Sequence, residues 1–171
     1  MDEDADAISM ANRAAPGFSG RAPSLLDMPG HLLRRCHQIA VGIFLDECRP
    51  LDLTPLQYVA LMTLAEKGPL DQTALGRAAA LDRTTSAIVI RALTLRGLVV
   101  RNRSERDRRS KIVSLTGDGR ETLRAARAAA AEAQRRIVSP LTPREQEQLV
   151  RLLGKMALAN NDFSRAPQSD F

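Results

Sequence analysis

The sequence predicts a mainly α-helical protein with a small β-hairpin wing. Three observations carry that prediction. The stretch from Asp71 to Gly97 reads as two short helices joined by a tight turn, with Asp71 and Asp82 as caps and Gly97 as the stop. A basic stretch follows at once. Arg96, Arg101, Arg103, Arg106, Arg108, Arg109 and Lys111 face only Glu105 and Asp107, a net +5 that equals the formal charge of the whole 171-residue chain. Aromatic residues are only 3% of the chain and tryptophan is absent, so Leu, Ile, Val and Ala must build the core, which favours helices over a β-sandwich. Two helices followed by a basic hairpin make a winged helix-turn-helix. That arrangement puts one helix in a DNA major groove and an arginine-rich loop beside it.

The elements follow in order. Residues 1–23 hold Asp, Ala, Ser, Gly and Pro without apolar periodicity and read as a flexible arm. Residues 24–164 read as a single domain. From about Leu25 to Glu47, Leu32, Leu33, Cys36, Ile39, Ala40, Ile43 and Phe44 recur at three- and four-residue steps, a helix that Pro50 closes. Thr54-Pro55-Leu56-Gln57 is a helix start with a capping box, and Gly68-Pro69 stops that second helix. Asp71 caps a third helix, Ala79-Ala80-Leu81 turns, and Asp82 caps a fourth that ends near Arg96. Residues 98–103 and 111–115 are the two strands of a hairpin with a seven-residue polar loop, long for a tight turn. Thr116 opens a long, alanine-rich helix to about Val138, and Thr142-Pro143-Arg144-Glu145 caps a last one bearing Leu149, Leu152, Leu153 and Met156, with Phe163 beyond. Residues 24–50 and 116–164 are assigned to dimerisation, 54–115 to the winged lobe, and 165–171 to a flexible tail.

On a wheel of about 100° per residue, Ser86, Val89, Ile90 and Leu93 of the fourth helix share a core face. Thr84, Ala87, Ile88 and Arg91 fall opposite, flanked by Arg83 and Thr85. An outward isoleucine among threonines and arginines suits a major groove, where apolar groups meet thymine methyls and arginine pairs with guanine or phosphate. Arg103, Arg106, Asp107, Arg108, Arg109 and Lys111 are the wing's candidate contacts, with a loop arginine entering the minor groove. Asp107 orients Arg109 by a charge-assisted hydrogen bond.

A pI near 10 suits a polyanionic partner. No apolar run approaches the roughly 20 residues of a membrane span, and the N-terminus is acidic, unlike a signal peptide. These features imply a cytoplasmic protein without a membrane role. Two histidines on one helix and two cysteines supply neither a catalytic set nor a metal-ligand spacing, so neither enzyme nor cofactor nor metal is expected.

The run Leu93-Thr94-Leu95-Arg96-Gly97-Leu98-Val99, followed by Asp107-Arg108-Arg109-Ser110-Lys111-Ile112-Val113-Ser114-Leu115-Thr116, resembles the signature of MarR-type bacterial transcriptional regulators. Leu53-Thr54-Pro55-Leu56-Gln57-Tyr58 matches that family's entry to its second helix, and the resemblance covers about residues 30–160. It implies a homodimer in which the first, fifth and sixth helices interlock. It makes Asp107 and Arg109 the wing's paired acid and minor-groove arginine. It also implies repression of a pseudo-palindromic operator, relieved by a small-molecule effector.

His37-Gln38-Ile39-Ala40 resembles members that govern aromatic-acid breakdown, so the effector is expected to be an aromatic acid or an aromatic acyl-CoA thioester. His31, Arg34, Arg35 and His37 on the first helix, with Tyr58 and Met62 on the second, are the effector candidates; the arginines suit a carboxylate or phosphate. Cys36 falls on the apolar stripe and reads as a core cysteine. Two alternatives stay open: a non-specific architectural nucleic-acid binder, and a repressor that senses oxidants through Cys36 or Cys48.

Overall fold

The structure, a computed structural model, describes residues 24–103 and 111–168. The described residues divide into two compact units, with the boundary between Ile39 and Ala40. A 3-10 turn, Leu25–Asp27, precedes helix α1, Pro29–Glu47. The apolar spacing that suggested one helix from Leu25 therefore overruns its start: Ser24 caps the short turn, and Pro29, which lacks an amide hydrogen, is accommodated at the first helical position.

A second 3-10 turn, Arg49–Leu51, leads to α2, Pro55–Lys67. The expected capping box is present: the Gln57 amide donates to Thr54 Oγ1 at 3.3 Å, and the Thr54 amide donates to Gln57 Oε1 at 3.1 Å. Then come β1 (Leu70–Asp71), α3 (Gln72–Ala78), α4 (Arg83–Leu95), β2 (Val99–Arg103), β3 (Lys111–Leu115), α5 (Gly117–Val138) and α6 (Pro143–Ala159).

The sheet has three antiparallel strands in the order β1-β3-β2 rather than the two of a bare hairpin. Leu70 pairs with Val113, and Val99 with Leu115. β1 is two residues long and too short to show alternation. It forms because the far edge of β3 offers unpaired backbone groups to the residues that enter α3.

The core contains Leu53, Leu61, Leu75, Ile90, Leu93, Val99 and Val113, each 2% exposed or less, together with Phe44 and Cys48. Burying each such leucine or isoleucine contributes about 1.5–3 kcal/mol. Helix α2 packs on α5. There Ala126, Ala130 and Ala133 recur at helical spacing and are buried. The alanine-rich stretch thus serves the chain's own core on this face, while Ala125, Ala128 and Ala131 stay exposed.

Two helices keep apolar side chains outside the core. On α1 these are Leu32, Leu33, Ile39 and Leu45; on α6 they are Val150, Leu152, Leu153, Met156 and Leu158. Cys36 belongs with them: it is exposed, and the cysteine in the core is Cys48. Helical periodicity marked the apolar stripe of α1 correctly, but a stripe does not reveal whether it faces the chain's own core. Beyond α6 a 3-10 turn, Asn161–Phe163, leads into a segment hydrogen-bonded as far as Gln168.

Candidate nucleic-acid interface

Helix α4 is set by its N-cap. Asp82 accepts from the amides of Thr84 and Thr85, each at 2.9 Å, and from the Thr85 hydroxyl at 2.8 Å. The Thr85 backbone bond, followed by its hydroxyl bond, holds the Asp82 carboxyl below the usual carboxylate range. Thr85 is half-buried, so its hydroxyl serves the cap.

The approach of α3 to α4 depends on Gly76. A Cβ there would lie 2.9 Å from the Leu81 carbonyl oxygen and 3.4 Å from Ser86 Oγ. Ser86 is buried and donates to the Arg83 carbonyl at 3.1 Å. The turn between the helices holds Ala80 at φ +52°, in the left-handed region.

The faces of α4 separate as the wheel predicts. Ser86, Val89, Ile90 and Leu93 are buried. Ile88 is 64% exposed, whereas Ile90, two positions on, is 0% exposed. Arg83, Thr84 and Arg91 are exposed beside Ile88, and Ala87 is half-buried. Arg103 and Lys111 are exposed partners at the last described rung of β2 and β3. Arg106, Asp107, Arg108 and Arg109 lie outside the described residues.

The exit from α4 is anchored twice. Gly97 has φ +70°, the left-handed position that follows a helix C-terminus and that glycine adopts at no steric cost. Thr116 then joins this exit to α5. Its hydroxyl donates to the Gly97 carbonyl at 2.7 Å and accepts from the Gly119 amide at 3.0 Å, and its amide donates to the Leu98 carbonyl at 3.2 Å. The threonine that closes the signature run is thus both the N-cap of α5 and a clasp on the recognition helix.

Two exposed cations next to this face, Arg77 on α3 and Arg101 on β2, were absent from the sequence-derived contacts. Arg101 carried a signal, since it lies in the basic stretch. Arg77 carried none, because one arginine on a short helix does not stand out.

The effector candidates are placed as follows. On α1, His31 is half-buried and Arg34, Arg35 and His37 are exposed; Arg34 donates to Gln38 Oε1 at 3.0 Å. On α2, Tyr58 and Met62 are half-buried one turn apart. The Tyr58 ring stands 5.6 Å from that of Phe44, and burial pushes its hydroxyl pKa up. Burial, followed by the neighbouring Glu47 charge, likewise raises the Cys48 thiol pKa. Among the described residues no three His, Cys, Asp or Glu side chains gather to hold a metal, and no helix is long and apolar enough to cross a membrane.

Residues 53–111 match the family model described as MarR family. The chain is 34% identical over 127 residues to the HTH-type transcriptional repressor NicR of Pseudomonas putida, spanning 74% of this chain and 80% of that protein. The chain belongs to the MarR family. This MarR-family chain also superposes on the Bordetella bronchiseptica regulator BpsR with a TM-score of 0.75 at 32% identity, covering 80% of this chain and 98% of that one. That structure concerns the regulation of BpsR DNA binding by 6-hydroxynicotinic acid. The repressor CouR, solved on a 23-mer DNA duplex, superposes with a TM-score of 0.72 at 30% identity, over 80% of this chain and 99% of that one. The MarR-family chain is a DNA-binding transcriptional regulator with a winged helix-turn-helix fold.

Proposed function

We propose that the chain is a homodimeric, cytoplasmic repressor without catalytic activity, which reads a pseudo-palindromic operator and releases it on binding a carboxylated aromatic compound or its CoA thioester. The exposure of Ile88 opposite buried Ile90 carries the DNA part of this reading. A solvated surface gains nothing from an isoleucine there, whereas a thymine methyl in the major groove would cover it. Thr84, Ala87, Ile88 and Arg91 read bases, Arg83 and Thr85 flank them, and Arg103, Arg106, Arg108, Arg109 and Lys111 hold phosphate or the minor groove, with Asp107 orienting Arg109.

The dimer is supported by the apolar side chains exposed on α1 and α6, which a second copy would cover. A two-fold dimer would place half-sites about one helical turn, roughly 10 base pairs, apart. The effector class is supported by the likeness to BpsR and by the basic and imidazole side chains of α1, His31, Arg34, Arg35 and His37, which suit a carboxylate. Tyr58 and Met62 are assigned the apolar part of the ligand. The buried thiol of Cys48, with its raised pKa, does not suit oxidant sensing.

The test is an anisotropy titration on the DNA upstream of the protein's own gene. Aromatic acids, hydroxynicotinic acids among them, and aryl-CoA thioesters are then added. Release by one compound, with Arg34→Ala needing more of it at unchanged operator affinity, supports the reading. Binding that no member of the panel disturbs argues against the effector class.

A further inference from the structure

The segment after α6 folds back onto the DNA-binding lobe. Asn161 and Gln168 clasp its two ends: the Gln168 amide donates to Asn161 Oδ1 at 3.0 Å, and Asn161 Nδ2 donates to the Gln168 carbonyl at 2.9 Å. Gln168 Nε2 reaches across to the Ala78 carbonyl at the end of α3, at 3.3 Å. Between these anchors, Arg165, Ala166 and Pro167 form one wall of a groove of about 1020 Å³. Arg77, Arg83, Arg101 and Lys111 line the same groove.

The electrostatics of this groove are one-sided. Among the described residues, Asp71 and Asp82 are the carboxylates of its lining, and both are engaged as helix caps. Arg165 comes near enough to Asp82 to add, after the Thr85 hydrogen bonds, to the lowering of its pKa. Among the described residues, none of the five cations forms an ion pair within 4.0 Å. Five cations against two carboxylates leave the described lining with a net positive charge, which a polyanion would complement. Arg83 and Lys111 already belong to the proposed DNA face, so the groove is continuous with it.

We propose that the C-terminal segment is part of the DNA-binding surface, with Arg165 holding a backbone phosphate beside those held by Arg83 and Lys111. This rests on the DNA-binding reading above and adds a contact outside the recognition helix and wing. A tail that shielded the lobe from DNA would mimic DNA with net negative charge, yet the described segment, 161–168, carries one acid, Asp162, and one base, Arg165, and of the two only Arg165 lines the groove. A phosphate contact carries no base information, so its signature is distinct.

The experiment compares the full-length protein with its Arg165→Ala and Arg165→Lys variants on the upstream duplex and on a random duplex across a salt series. Arg165→Ala is expected to weaken binding to both duplexes by a similar factor, about three- to tenfold. The slope of log K against log salt should become shallower by about 0.9 for each Arg165 engaged. Arg165→Lys should restore most of the slope, and Gln168→Ala, which unhooks the segment from Ala78, should fall between. Unchanged affinity and slope would overturn the proposal, as would tighter binding, which would make the segment a shield. If the wild type binds neither duplex, the DNA-binding reading itself fails, a result distinct from failure of Arg165 alone.

Discussion

The Arg96 guanidinium, at the C-cap of the recognition helix, donates to the Leu51 carbonyl at 2.8 Å and also to the Asp52 carbonyl. Leu51 ends the turn that joins α1 to α2, and Asp52 follows it at φ +49°. The same end of α1 is tied to α5, where Arg136 donates to Asp46 at 2.9 Å and to Glu47. The C-terminal end of α1 is therefore fastened both to the recognition helix and to the long helix.

Arg96→Ala removes both carbonyl contacts and leaves two turn carbonyls to water. Hydrogen bonds from charged donors contribute about 1.5–3 kcal/mol each when sheltered. With Arg96 about a third exposed, the expected loss is about 1–2 kcal/mol, read as a lower urea midpoint at unchanged m-value. Arg96→Lys should recover only part of it, because an ammonium lacks the planar fork that meets two carbonyls together.

Ile88 and Ile90 should separate function from stability. Ile90→Ala empties a buried site and is expected to destabilise by about 2–4 kcal/mol. Ile88→Ala, at an exposed site, should change stability by no more than about 0.5 kcal/mol. It should nevertheless narrow the preference for operator over random duplex. Urea melts and paired DNA titrations check both halves.

Thr116→Val keeps the shape of the side chain but removes the cap of α5 and the bond to the Gly97 carbonyl. A loss of about 1–2 kcal/mol is expected, with Thr116→Ser close to wild type. Equal melting temperatures for the Val variant and the wild type would show that the clasp is dispensable.

Acid should unfold the protein through identifiable carboxylates. The Arg136 hydrogen bond and charge, then the Arg49 charge, lower the Asp46 pKa; the Thr85 bonds lower that of Asp82; the Thr142 hydroxyl and then its amide lower that of Glu145. Each binds its proton more weakly when folded than when unfolded. Their contribution is therefore complete above the unfolded carboxylate range, about pH 4, and is lost as pH falls through the lower folded values. The urea midpoint should be level from neutrality to about pH 5 and then decline. In Asp46→Asn, the acid limb should be shallower.

Much of this fold was legible because its signals are local. Thr54, Asp71, Asp82, Thr116 and Thr142 each cap a helix as their sequence contexts predict. The wheel of α4 also translates directly into burial, whereas in β3 only Val113 is buried and Leu115 is half-buried like Ser114. What escaped the sequence depends on distant partners. β1 exists because β3 has a free edge, and the fold-back of the C-terminal segment depends on Asn161, Gln168 and Ala78, none of which has a periodic signature. Cys36 escaped for another reason: the apolar stripe of α1 is real, but whether it packs inward or awaits a second copy is not written in its spacing.

The most direct test of the account is the affinity ratio of the wild-type protein for the duplex upstream of its own gene against a random duplex of equal length, at one physiological salt concentration. The account predicts a preference of about a thousandfold or more, reduced by Ile88→Ala and Arg91→Ala. Equal affinity for the two duplexes, unchanged in those variants, would contradict it and leave a non-specific nucleic-acid binder.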